Sequence, residues 1–223
     1  MIHRARGAAA RNLLLLLAAV LAAGAGLWLS RRAFPPAAAP AAGVTVPAPM
    51  LQTVRPVNPP RVLADWRLRL SDGGEASPAT LQGRWTLVFL GFTHCPDVCP
   101  TTLQALSVAQ KEWDALPEAR RPRVLFVSVD QERDTPKITG DYAHYFHPQT
   151  LAAAPTPAQL EGFAQALGLV YMKVPGTDGS YTMDHSSTMV LLDPQGRQAG
   201  LIGPPLDPRK IADDLRLLAE RSP

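Results

Sequence analysis

Cys95 and Cys99 are the two cysteines of this 223-residue chain, four apart in Gly91-Phe92-Thr93-His94-Cys95-Pro96-Asp97-Val98-Cys99-Pro100. A close thiol pair can be a structural disulfide, a redox couple that exchanges with other thiols, or part of a soft-metal site. The spacing is one residue wider than the C-x-x-C of a thioredoxin. It still allows a disulfide, and it also lets two thiolates converge on one ion. If the turn is helical, both sulfurs share a face. The pair follows an apolar strand-length run and opens a helix, where the dipole and unpaired N–H groups favour thiolate. Pro96 and Pro100 suit a first turn, since no intrahelical N–H bond is lost there. Two cysteines exclude a disulfide-dense scaffold and a four-thiolate zinc site.

A third ligand, if there is one, comes from five histidines. His3 precedes the apolar N-terminal run. Strand alternation is expected to turn His94 away from Cys95. His144 and His147, in DYAHYFHPQ, read as solvated surface. His185 lies in Tyr181-Thr182-Met183-Asp184-His185, just before a buried strand. In a thioredoxin-like sheet, the loop entering that strand passes the redox site. Among the acids, Asp97 and Asp134 read as caps or turn formers. Asp130 is a further acid near the site, and Asp184 could orient His185 or meet a partner. Met183 and Met189 read as packing, and Phe92 and Tyr181 as pocket walls.

The elements that must position these residues alternate in type. Residues 66–70, the turn SDGG and the following segment read as strand, turn, strand. Residues 85–91 (WTLVFLG), 124–129 (VLFVSV) and 188–192 (TMVLL) are continuous apolar runs, the pattern of strands buried on both faces. Residues 170–174 form a short strand, and 198–202 pair with 188–192 across the turn Asp193-Pro194-Gln195-Gly196. Helices are expected over 101–116, over 157–167 with Thr156 as N-cap, and over 208–219. Strands alternating with helices imply an α/β domain with a mixed or mostly parallel sheet.

The N-terminus differs in kind. Residues 1–11 form a basic segment with Arg4, Arg6 and Arg11, and no acid precedes Asp65. Residues 12–29 are uncharged and apolar and close on Arg31 and Arg32. That run is about one bilayer crossing long, and its end is a poor cleavage site, so it reads as a transmembrane signal anchor with the N-terminus inside. A cleaved signal peptide or an organellar import sequence is the alternative. Residues 30–60 form an Ala/Pro-rich linker, whose last part could lie along the domain surface. Folded structure is expected from near Val62, in a domain spanning 61–223. A net charge of +3 without a basic stripe gives no case for nucleic acid.

Three blocks, GFTHCPDVCP, SVDQERDTP at 128–136 and MDHSSTMVLLDPQG at 183–196, together resemble the Sco/SenC family over about residues 60–220. The resemblance implies a thioredoxin-like fold with an extra hairpin. It implies one copper, as Cu(I) or Cu(II), held by Cys95, Cys99 and His185, a donor set soft enough for that metal. It also implies a metallochaperone for the binuclear copper A site of cytochrome c oxidase subunit II, with a copper donor and a thioredoxin-like reductant as further partners. The domain would then face the periplasm from a bacterial inner membrane, with the mitochondrial inner membrane as alternative. Enzymatic turnover is not expected beyond thiol–disulfide exchange. In the competing reading that exchange is the function, with Cys95 and Cys99 as the redox pair. A peroxiredoxin-type peroxidase fits less well, because that family has T-x-x-C where this chain has Thr93-His94-Cys95. A redox or copper sensor is a further reading. Gln131 stands where the family often has proline.

Overall fold

A computed structural model describes Gly24 and residues 51–221. The expected membrane anchor at 12–29, apart from Gly24, and most of the linker lie outside the described residues. Among the described residues, no helix is long and apolar enough to cross a membrane.

The chain runs β1 (Arg55–Arg61), β2 (Leu68–Arg69), β3 (Glu75–Ala76), β4 (Thr86–Gly91), α1 (Val98–Trp113), a 3-10 turn (Glu118–Arg120), β5 (Arg123–Ser128), α2 (Pro136–Phe146), β6 (Leu151–Ala153), α3 (Pro157–Leu167), β7 (Tyr171–Pro175), β8 (Tyr181–His185), β9 (Met189–Leu192), β10 (Gln198–Ile202) and α4 (Pro208–Arg221). Six strands form one sheet in the order β1-β10-β9-β4-β5-β6. β4 is its pivot. It pairs parallel with β5, Val88 against Leu125, and antiparallel with β9, Val88 against Val190. All six residues of β4 are buried, which is why its sequence is continuously apolar rather than alternating. The parallel half therefore supplies the turn after β4, and the antiparallel half supplies β9 beside it.

Helix α1 begins at Val98, earlier than the expected 101. Asp97 stands at its N-cap but makes no side-chain cap bond. Trp113 at its other end is fully buried and donates its indole N–H to the Ala212 carbonyl of α4 at 3.1 Å. Helix α3 matches its expected limits. Thr156 and Gln159 form a reciprocal capping box, and Gly168 closes the helix in the left-handed region at φ 70°, which glycine enters without steric cost.

Four elements were not anticipated. Helix α2 buries only Thr139, Gly140 and Ala143, so it has no apolar stripe to read. β6 is three residues long, and β8 alternates too weakly to stand out. β1 carries three prolines, which an edge strand tolerates because its N–H groups are not all needed for pairing. It pairs antiparallel with β10, with a register irregularity between Pro56 and Arg61. The segment before it is held by the buried Asp214 carboxylate, which accepts from the N–H groups of Gln52, Thr53 and Val54 and from Thr53 Oγ1. Ordered structure thus starts ahead of Val62, and residues 51–60 belong to the domain rather than to the linker.

Candidate metal centre

At Gly91 the chain leaves β4 and turns through Phe92–Asp97 into α1, which puts both thiols at the carboxyl end of a central strand, where α/β sheets collect their sites. Cys99 is fully buried and Cys95 half-buried, and both are free thiols. The Cys99 N–H donates to Cys95 Sγ at 3.3 Å. Burial, with the Cys95 contact adding to it, pushes the Cys99 thiol far above its ordinary range, so a metal binding there displaces a proton.

His185 ends β8 instead of lying in a loop. Strand alternation puts Tyr181, Met183 and His185 on the inner face and leaves Thr182 and Asp184 exposed. Its Nε2 stands 3.6 Å from Cys99 Sγ, and its Nδ1 lies 3.1 Å from the Ser186 carbonyl. A carbonyl only accepts, so Nδ1 carries the proton. In the neutral ring Nε2 then keeps its lone pair, which faces the sulfur and accepts from the Cys99 thiol. Ser186 does the orienting expected of Asp184, whose side chain points to the other face of β8. The rings of Phe89 and Phe92 meet the imidazole edge-on, with centroids at 6.2 and 6.1 Å.

These distances can be weighed against a metal. Bonds of about 2.3 Å to sulfur and 2.0 Å to nitrogen, opened to 120°, separate the two donors by about 3.7 Å, close to the observed 3.6 Å. Cys95 Sγ stands further off, since the three donors do not all fall within 4.8 Å of one another. It belongs to the more exposed of the two cysteines. His185 also borders a cleft of about 610 Å³ lined by Val170, Met172, Asp184, Ser187 and Leu201, which neither thiol lines.

The turn that carries the thiols is braced by Asp134, whose side chain is fully buried. It accepts from Thr93 N–H at 3.0 Å, Thr93 Oγ1 at 2.6 Å and Ser128 Oγ at 2.5 Å. It is neither cap nor turn former. His94 is exposed but turns toward this carboxylate, with Nδ1 3.7 Å from Asp134 Oδ1. His94, Asp130 and Asp134 have donor atoms within 4.8 Å of one another. Every carboxylate oxygen there already accepts a hydrogen bond, Asp130 from Arg133 and Tyr181, so the cluster is a brace and not an open cation site. His147 is not surface. It is buried, with Nδ1 3.0 Å from Gln110 Nε2. Arg133 was passed over in the sequence, although its place within SVDQERDTP, between two of the acids, was a usable signal. Gly91, a glycine closing an apolar run, was another.

A dithiol at a helix N-terminus after a central strand, faced by an imidazole at the end of the separate β7–β8 hairpin, defines a thioredoxin-like protein. The SCO1/SenC family profile matches residues 55–220, and the chain belongs to that family. A putative copper-binding protein of Stutzerimonas stutzeri is 34% identical over 151 residues, 66% of this chain and 72% of its own. A mitochondrial SCO1 homolog of Arabidopsis thaliana is 36% identical over 126 residues, 56% of this chain but only 37% of the relative's length. Bradyrhizobium japonicum ScoI, solved with copper bound, superposes with a TM-score of 0.64 at 33% identity, covering 70% of this chain and 99% of that one.

Proposed function

We propose that Cys95, Cys99 and His185 hold one copper ion, and that the protein is a metallochaperone assisting assembly of the binuclear copper A site of cytochrome c oxidase subunit II. The observation that carries this is the 3.6 Å approach of His185 Nε2 to Cys99 Sγ, with the Ser186 carbonyl holding the proton on Nδ1. The imidazole completes a three-donor metal site, whereas exchange between two thiols and a disulfide does not require a third donor. Relatives solved with copper bound support the choice of metal. Copper is cargo in this reading. The two sulfurs and the imidazole hold it, Cys99 gives up its proton, and the half-exposed Cys95 leaves a side open to an acceptor. Residues 12–29 would anchor the chain in a bacterial inner membrane with the domain in the periplasm, where a copper donor and a thioredoxin-like reductant would meet it.

The second reading, reduction of the target's cysteines, is favoured by the unequal exposure of the thiols, since an accessible Cys95 can attack a disulfide and the buried Cys99 can resolve it. Copper titration of the reduced protein beside Cys99→Ser and His185→Ala separates the two. We expect one tightly bound copper in the wild type, none in Cys99→Ser, and weaker binding with intact thiol exchange in His185→Ala. A Cys99→Ser protein that keeps one tight copper would sink the ligand assignment.

A further inference from the structure

The hairpin of β7 and β8, which ends on His185, pairs with neither of the other sheets. A lone two-stranded hairpin is at best marginally stable in water, so its inner face must be held by side chains. Tyr181 is on that face, four residues before His185 and roughly 13 Å away along the strand at about 3.3 Å per residue. Its hydroxyl donates to Asp130 Oδ1 at 2.8 Å, and Arg133 Nε donates to Asp130 Oδ2 at 2.5 Å. Arg133 also donates from Nη1 to the Tyr181 carbonyl at 3.3 Å and stands 3.8 Å over the Tyr181 ring. Lys173 stands 3.9 Å over the same ring and pairs with Glu132 at 2.6 Å.

The other end of this network reaches the thiols. Asp130 N–H donates to Ser128 Oγ at 3.1 Å, Ser128 Oγ donates to Asp134, and Asp134 accepts from Thr93 N–H, two residues before Cys95. Arg133 lies 5.9 Å from the Phe92 ring, which itself packs against the imidazole. The thiol turn and the histidine strand are thus tied to one hydrogen-bonded body built on the end of β5.

We propose that Asp130, Arg133 and Tyr181 form a clamp that fixes where His185 stands relative to the two thiols, which makes them positioning residues for the metal centre. The proposal rests on His185 being a copper ligand. Tyr181→Phe deletes the hydroxyl and keeps the ring under its two cations. It is read in the full-length protein by two measurements, amide hydrogen exchange of the metal-free reduced chain, and the nitrogen hyperfine signal and affinity of bound Cu(II). Exchange across residues 171–175 and 181–185 should quicken roughly tenfold, the lower end for losing one hydrogen bond to a carboxylate, while β4 and β5 stay unchanged. Copper affinity should fall by a similar factor, with the nitrogen signal weakened and the sulfur-to-copper absorption kept. Both must change, and a change in only one, or in neither, overturns the clamp. A wild-type protein without any nitrogen signal overturns the ligand reading, and the clamp with it. Should Tyr181→Phe fail to fold, Arg133→Lys removes the planar fork while keeping the charge, and the same two readings decide.

Discussion

Gly91→Ala measures how tightly the end of β4 is packed against the buried thiol. A Cβ at Gly91 would stand 2.7 Å from Phe126 Cε2, 3.1 Å from Cys99 Sγ and 3.2 Å from Phe89 Cε1. Carbon atoms settle at about 3.5–4.0 Å, so the Phe126 ring would have to yield by close to ~1 Å. It has nowhere to go, being fully buried with its centroid 5.9 Å from that of Phe89. Overpacking of this kind costs about 1–3 kcal/mol. At about 2–4 °C per kcal/mol for a domain of this size, the melting temperature of the reduced, metal-free protein should fall by roughly 2–12 °C. The sulfur must shift too, so its 3.6 Å separation from His185 should change and copper affinity with it. Urea unfolding is the cleaner assay, because a pure stability loss lowers the midpoint and leaves the slope alone. An unchanged midpoint would show that the strand end has slack, and the packing argument would be refuted.

Three further outcomes follow from buried polar groups. Asp134→Ala leaves the Thr93 N–H without its acceptor and should cost at least about 1–3 kcal/mol in the reduced state; an unfolding midpoint equal to wild type would remove Asp134 from the brace. Burial holds the His147 imidazole below its ordinary range, with Asp114 opposing, so above pH 6.5 both folded and unfolded forms are neutral and its titration does not change stability. As pH falls below that value the unfolded chain takes the proton first, and stability should drop by up to about 1.4 kcal/mol per pH unit until the folded form titrates as well. His147→Gln should lose this component between pH 6.5 and 5, as followed by urea midpoints. Asp214→Ala releases four donors of residues 52–54, and trypsin should then cut after Arg61 faster than in the wild type, with resistance unchanged as the contrary result.

The apolar runs made β4, β5 and β9 legible because strands buried on both faces have to be apolar throughout. Helix α3 was legible because its cap chemistry is local, written in Thr156, Gln159 and Gly168. Helix α2 was hidden because it packs by small size, with Gly140 so close to Ser71 that a Cβ would stand 2.9 Å from its Oγ. β1 was hidden because its prolines read as linker, and only the distant Asp214 draws that segment into the sheet. At the site, the two cysteines and His185 could be singled out by type and position. The brace could not, because Asp134 and Thr93 are 41 residues apart and a buried acceptor looks like any other aspartate in the sequence. His147 failed for the same reason, since its polar neighbours gave no sign of the Gln110 amide that accompanies its burial.

Cys99 and His185 meet at 3.6 Å but are 86 residues apart in the chain, and that separation orders events in time. The two thiols are neighbours along the chain as soon as it is made, while the brace of their turn waits only for Asp134, 41 residues from Thr93. The imidazole arrives only when β9 has slotted between β4 and β10, which must wait for almost the whole domain. Closing an 86-residue loop costs roughly 3 kcal/mol more in chain entropy than closing the four-residue span between the thiols, and non-local pairing of this kind is slow. A folding chain therefore passes through an interval in which it is already a vicinal dithiol and not yet a three-donor site. Throughout that interval the histidine stands apart from the sulfurs, so whatever metal or oxidant the newborn protein meets, it meets as a dithiol alone.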